Sequence, residues 1–332
     1  MLLNSSRFKP TDFLAKLINI TALANTETAA KISQTTGSNR ADAQPTSQNQ
    51  TPFTATAPPP STARAVAPKI PLVAHHTAFY LEQGALLQKQ GNLDAAAAIY
   101  NQAIALVPTC VPAYLELGNV LCKQGKVAVA ITSYEQAIRI DPNNAVAYSS
   151  LGSALEQTHK LAEAIAAYIK AIRLNSQETR AYTLLGKLLY RRGRFTEAIE
   201  VYNRAIQTNP NNTEAYTELG MTLVRQGKLA EAIALFKKAN RVNPNDARVY
   251  FNLGVAFYKQ ESYSEAISAY NRAIQINPED PEAYLNLAMA LEKHNQRANA
   301  VIALRQSRNL FRNQGNTRRA ERIAKDLARI GV

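Results

Sequence analysis

Residues 179–212 read T-R-A-Y-T-L-L-G-K-L-L-Y-R-R-G-R-F-T-E-A-I-E-V-Y-N-R-A-I-Q-T-N-P-N-N, and residues 213–246 read T-E-A-Y-T-E-L-G-M-T-L-V-R-Q-G-K-L-A-E-A-I-A-L-F-K-K-A-N-R-V-N-P-N-D. The second stretch repeats the first at a shift of 34: Tyr182 and Tyr216, Gly186 and Gly220, Ala198 and Ala232, Tyr202 and Phe236, Ala205 and Ala239, Pro210 and Pro244. The ladder runs outward in both directions. With Thr77, Val111, Ala145, Thr179, Thr213, Ala247 and Pro281 each taken as position one, tyrosine stands at position four of all seven units. Glycine stands at position eight of six, from Gly84 to Gly254, and Ala288 takes its place in the seventh. Alanine fills position 20 throughout (Ala96 to Ala300) and position 27 in six units, with Ser307 last.

A fixed period of this length is the signature of a stacked repeat, each unit a pair of antiparallel helices that cannot bury its apolar faces alone. Small residues at positions 8, 20 and 27 let the two helices, A and B, approach. Rings at positions 4 and 24 (Tyr100, Tyr134, Tyr168, Tyr202, Phe236, Tyr270) fill the space between them. Gln-Gly at 90–91, 124–125 and 226–227 marks a left-handed end to helix A, where His159 and Glu261 replace glycine under some strain. Proline at position 32, absent only where Ser176 and Arg312 stand, closes helix B.

These residues resemble the tetratricopeptide repeat, with Tyr in place of the family's Trp at position four. The resemblance covers 77–314 as seven tandem units (77–110, 111–144, 145–178, 179–212, 213–246, 247–280, 281–314), the seventh degenerate. The Ala-rich units and N-L-F-R-N-Q-G-N-T-R-R-A resemble bacterial, cyanobacterial-type members. The resemblance implies an all-α, right-handed α-α superhelical solenoid whose A helices line a concave groove. Residues 315–332 then form a basic capping helix with Ala320, Ile323, Ala324 and Leu327 on one face. Gln314-Gly315 also looks like an A–B turn, so two registers stay open for the last part.

The segments before the repeat differ in kind. Residues 26–71 are rich in Pro, Ser, Thr, Gln and Ala, with few large apolar side chains to offset the entropy of ordering; a disordered linker is expected. Residues 1–25 superficially resemble a signal peptide, but Asp12 and Lys16 interrupt the apolar run. They read as a short amphipathic helix with Phe13, Leu14, Leu17 and Ile18 on one side, and a targeting role stays open.

Composition excludes several functions. The net charge of +13 is uneven: residues 1–70 carry +4, 293–332 carry +8, and the middle only +1, so a polyanion-binding role would lie at the ends. Two cysteines, Cys110 and Cys122, make no disulfide scaffold. The four histidines do not reach ligand spacing, and no metal or other cofactor is expected. No run of apolar residues is long enough to span a bilayer, which favours a cytoplasmic protein, with peripheral membrane association as the alternative. The repeats leave no residues for a catalytic domain, and the chain is expected not to be an enzyme.

What remains is binding. The resemblance implies that positions 2, 5, 6, 9, 12 and 13 face the groove. Tyr190 and Tyr258, both at position 12, are the tyrosines without an assigned core role. Basic residues recur at position 13. The candidate partner-binding groove is therefore Arg180, Lys187, Tyr190, Arg191, Arg225, Arg248, Asn252, Tyr258 and Lys259, interrupted by Glu214 and Glu218. It suits a protein or peptide segment carrying anionic and apolar side chains. The carboxylate clamp that grips chaperone termini in this family is absent, since Leu115 and Ser150 stand at two of its positions. The rival is a candidate anion-binding tail, Arg318, Arg322, Lys325 and Arg329, through which nucleic acid or an anionic membrane would bind.

Overall fold

The computed structural model describes residues 70–329, with side chains from 75 to 328. The expected leader, 1–25, and residues 26–69 of the expected linker lie outside the described residues. The described residues form fifteen α-helices and no strand, and they divide after Leu174 into two compact units. The first holds α1 (Ile70–Lys89), α2 (Leu93–Leu106), α3 (Val111–Lys123), α4 (Val127–Ile140), α5 (Ala145–Gln157) and α6 (Leu161–Leu174). The second holds α7 (Thr179–Arg191), α8 (Phe195–Thr208), α9 (Thr213–Arg225), α10 (Leu229–Val242), α11 (Ala247–Lys259), α12 (Tyr263–Ile276), α13 (Pro281–Lys293), α14 (Arg297–Asn313) and α15 (Thr317–Arg329). Odd-numbered helices up to α13 are the A helices and even-numbered ones the B helices. Helix α1 begins seven residues ahead of Thr77, so residues 70 and 71, read above as linker, are helical.

Two glycine positions are chosen by different physics. A Cβ added at Gly186 would lie 2.5 Å from Cε1 of Tyr202, and Gly118, Gly152, Gly220 and Gly254 meet their own position-24 rings in the same way. At Gly91, Gly125, Gly193 and Gly227 nothing lies within 4 Å, but φ is between 73° and 78°. There the left-handed backbone alone selects glycine. His159, Glu261 and Asn295 adopt the same turn with φ of 61°, 63° and 60°. A non-glycine residue held there costs about 1–2 kcal/mol. We expect Glu261→Gly to raise stability by about 1 kcal/mol in urea titration, because the open surroundings add no packing term to offset the relief of strain.

The B-to-A connections owe their shape to the residue before the proline. The side chains of Asp141, Asn209, Asn243 and Asn277 each accept the backbone N–H two residues on, at 3.0–3.3 Å. Asn175 does the same for Gln177 at 2.9 Å although Ser176 replaces the proline. Helix starts are then capped by Asn144, Asn212, Asp246 and Asp280. Within each unit the core is built of position-20 and position-27 alanines with the position-24 rings between them; Tyr100 and Tyr168 in the first, and Tyr202 and Phe236 in the second, are fully buried. Ser307, the exception at position 27, is satisfied by donating to the carbonyl of Pro281 at 2.8 Å.

The end of the described chain departs from the pattern. Helix α14 has 17 residues where the other B helices have 14. The turn after it repeats the A–B geometry: Gln314, Gly315 (φ 76°) and Asn316 donate to Leu310, Arg312 and Phe311. Helix α15 therefore folds back on α14 as a B helix folds on its A. Ala320, Ile323 and Leu327 are buried against Val301 and Phe311, and Ala324 is half-buried.

Candidate functional site

Within each unit successive A helices touch one another, whereas successive B helices do not, so the A helices line the inside of the curve. The side chains that link neighbouring A helices identify the inner surface. In the second unit Lys187 (position 9, α7) donates to Glu214 on α9 at 2.6 Å and lies 3.5 Å from Glu218. Arg225 (position 13, α9) donates to the Tyr190 hydroxyl on α7 at 3.2 Å. In the first unit Lys123 donates to Gln88 at 3.0 Å, and Gln88 and Asn119 both donate to Glu116.

Position 12 has a structural duty that spacing did not reveal. In the first three repeats it meets the hydroxyl of the position-24 tyrosine. Gln88 donates to Tyr100 at 2.9 Å, Tyr168 donates to Glu156 at 3.0 Å, and Cys122 lies 3.8 Å from the Tyr134 hydroxyl, which also donates to Asn119. In the fifth repeat both partners are apolar, Val224 and Phe236. In the fourth and sixth, position 12 is itself a tyrosine. Tyr190 and Tyr258, which the sequence left without a core role, are half-buried and pack edge-on against Phe195 and Tyr263 at 5.4 and 5.6 Å. With Tyr190 turned to Phe195, the buried Tyr202 hydroxyl has no hydrogen-bond partner among the described residues. Burial pushes it well above the ordinary tyrosine range, and the carboxylates of Glu218 and Glu214 push further.

The other candidate groove residues divide by surroundings. Lys187 is neutralised locally: burial lowers its pKa, but the hydrogen bond to Glu214 and the charges of Glu218 and Glu214 more than reverse this. Arg248 is exposed but held to Asp246 at 3.1 Å. Asn252 is half-buried, and Arg180, Arg191, Arg225 and Lys259 are exposed. Arg191, Arg225, Lys259 and Lys293 form one basic row along the A–B turn edge. Beside it run Met221, Val255 and Met289 at position nine, half-buried to exposed.

In the tail, Arg318, Arg322 and Lys325 are exposed on α15, with Glu321 and Asp326 among them; Arg329 ends the helix. Arg319, outside the candidate anion-binding set, pairs with Glu282 of α13 and lies over the Phe311 ring. Together α13, α14 and α15 enclose a cleft of about 590 Å³ lined by Leu285, Met289, Val301, Phe311 and Ile323. Phe311 on α14 and Arg319 on α15 stand on either side of the Gly315 turn, so helical spacing gives no signal of this contact. Cys110 and Cys122 are both free thiols at either end of α3. Among the described residues no cluster of three or more His, Cys, Asp or Glu could hold a metal ion, and no helix is long and apolar enough to cross a membrane.

Stacked helix hairpins with small residues at fixed contacts and an inner surface made of A helices define a helical-repeat scaffold. Family models for the tetratricopeptide repeat match residues 84–125 and 118–158, 150–213 and 217–281, and 257–316. The chain belongs to the tetratricopeptide repeat family. No curated protein sequence is significantly similar to it. Among solved structures it is similar to PilF of Pseudomonas aeruginosa (TM-score 0.56, 23% identity, covering 65% of this chain and 97% of that one). It is similar to a tetratricopeptide repeat protein from Parabacteroides merdae (0.57, 14%, 76% and 99%). It also resembles a chain of the Cut9-Hcn1 hetero-tetramer of the APC/C (0.60, 21%), where it covers 78% of itself and 52% of that chain. At these identities the likeness is one of fold.

Proposed function

We propose that the protein is a non-catalytic scaffold that binds an extended protein segment on the inner face of α7, α9, α11 and α13. The observation that supports it is the basic row Arg191, Arg225, Lys259 and Lys293 running beside the apolar strip Met221, Val255 and Met289. A segment with acidic side chains on one edge and apolar ones on the other gains charge-assisted hydrogen bonds and buried area together. Arg180, Arg248 and Asn252 extend the surface toward the opposite end of the A helices. Lys187, Tyr190 and Tyr258 shape its floor through their own partners.

The test is titration of the full chain with labelled peptides in which acidic and apolar content vary independently. Peptides carrying both are expected to bind, and Arg225→Ala with Lys259→Ala to weaken them by about 1–3 kcal/mol. Tyr190 is a poor choice for this test because its removal would also unpack Phe195. Equal binding of neutral peptides, or binding indifferent to Arg225 and Lys259, would exclude the groove. Binding of RNA or anionic vesicles that falls steeply with salt and needs Arg318, Arg322, Lys325 and Arg329 would favour the tail instead.

A further inference from the structure

In the second unit each A helix touches the next: α7 meets α9, α9 meets α11, and α11 meets α13. Helix α15 breaks the series. It packs on α14, but among the described residues no Cα atom of α15 comes within 8 Å of one on α13. The cause is the connection. An A–B type turn at Gly315 leads into α15, whereas Asn-Pro links at 209–210, 243–244 and 277–278 deliver α9, α11 and α13. The gap left between α13 and α15 is the cleft of about 590 Å³. At the N-terminal ends of the two helices the pair Arg319 and Glu282 spans it, with the Phe311 ring beneath. Val301, Phe311 and Ile323 are buried in its floor, and Leu285 and Leu304 are half-buried in its walls.

The occupant follows from what leads into the cleft. The position-nine strip on the inner face runs from Met221 through Val255, both half-buried, to Met289, which is 43% exposed and lines the cleft. Met221 and Val255 each have a following A helix beside their own, and Met289 does not. A segment lying along that strip therefore reaches the cleft with its last side chains. The volume matches sites that enclose a compact apolar group, about 300–1,000 Å³. The lining carries Arg297, Arg319 and Arg322 against Glu282, Glu292 and Asp326, so an anionic lipid headgroup would gain no net attraction there. An apolar peptide side chain brings no charge of its own into the cleft. Its neighbour in the segment can be acidic and reach Arg322, which is exposed and has no ion-pair partner among the described residues.

We propose that the cleft between α13 and α15 anchors the bound segment by taking one of its large apolar side chains, with an adjacent acid on Arg322. The assignment rests on the inner face being the binding surface, and it fixes a direction. The anchor lies at α15, and the acidic run follows the basic row from Lys259 toward Arg191. The probes are fluorescein-labelled peptides with a phenylalanine at one end or the other of an acidic run, titrated into the full chain. Replacing that phenylalanine by alanine should weaken the better peptide about tenfold or more. Leu285→Trp, which narrows the cleft from its wall, should remove the preference for phenylalanine. Arg322→Glu changes an exposed side chain and should weaken binding about fivefold, and lysine beside the phenylalanine should restore it. In the unaltered chain, a benzophenone at the anchor position should cross-link to Met289 or to α15. Binding that needs Arg225 and Lys259 but ignores the anchor, with cross-links away from α13 to α15, would overturn the proposal and leave the inner face as the binding surface. Binding indifferent to Arg225 and Lys259 would remove that surface and the anchor with it. Saturable binding of decanoate that Leu285→Trp abolishes, with no peptide anchored, would overturn the proposal in favour of a small amphiphile.

Discussion

Gly186→Leu is expected to unfold the second unit at urea concentrations where the parent is intact. The Cβ of any side chain at 186 arrives 2.5 Å from a ring carbon of Tyr202, and that ring is itself fully buried and fixed by its own neighbours. Neither partner can move without opening the α7–α8 contact, so the usual overpacking cost of about 1–3 kcal/mol applies to Gly186→Ala and is exceeded by leucine. The seventh repeat carries the internal control. There Ala288 occupies the glycine position, and Leu304 occupies the place of the ring. Gly186→Ala combined with Tyr202→Leu should therefore be more stable than the sum of the two single changes predicts, by about 1 kcal/mol or more in a double-mutant cycle. Additive single effects would show that the glycine is not kept small by that ring.

Tyr168→Ala is the second large effect, about 3–5 kcal/mol by equilibrium denaturation, because it empties the site of a fully buried ring in the third repeat. Conservative changes at this position and at its counterpart should have opposite signs. Tyr168→Phe removes the donor to Glu156 and should destabilise by about 1 kcal/mol. Tyr202→Phe removes a buried hydroxyl that has no partner among the described residues and should be neutral or stabilising. Equal losses at the two positions would mean that the position-12 side chain does not decide the cost of the hydroxyl.

The fold was legible because a repeat states its contacts several times over. Positions 8, 20 and 27 read as close approaches, position 15 as a left-handed turn and position 32 as a helix end. The helices start and stop where these residues place them, apart from the seven-residue extension of α1 and the long α14. Asn295 stands at the same position 15 in the seventh unit and, as the non-glycine residue most tolerant of a left-handed backbone, takes the turn with φ of 60°. The groove was legible only as a face. Helical spacing places position 12 on the inner side, but it cannot say whether a side chain there turns to solvent or back to a hydroxyl twelve residues later. Tyr190 and Tyr258 turn back to Phe195 and Tyr263.

By itself the sequence determined the period, the helix pairs, the residues that must stay small and the basic row at position 13, since each follows from which residues a regular helix brings to one side. Tertiary structure decided the charge state of the site. The sequence sets Glu214 and Glu218 among the groove cations without saying which cation they meet; stacking brings both, from the next A helix, to within 3.5 Å of the Lys187 ammonium. It likewise tied Arg319 to Glu282 across 37 residues of chain and left Phe79 and Leu86 bare on α1. Ion pairs and exposure depend on neighbours across the stack, and a 34-residue period fixes where a side chain starts without fixing what it meets.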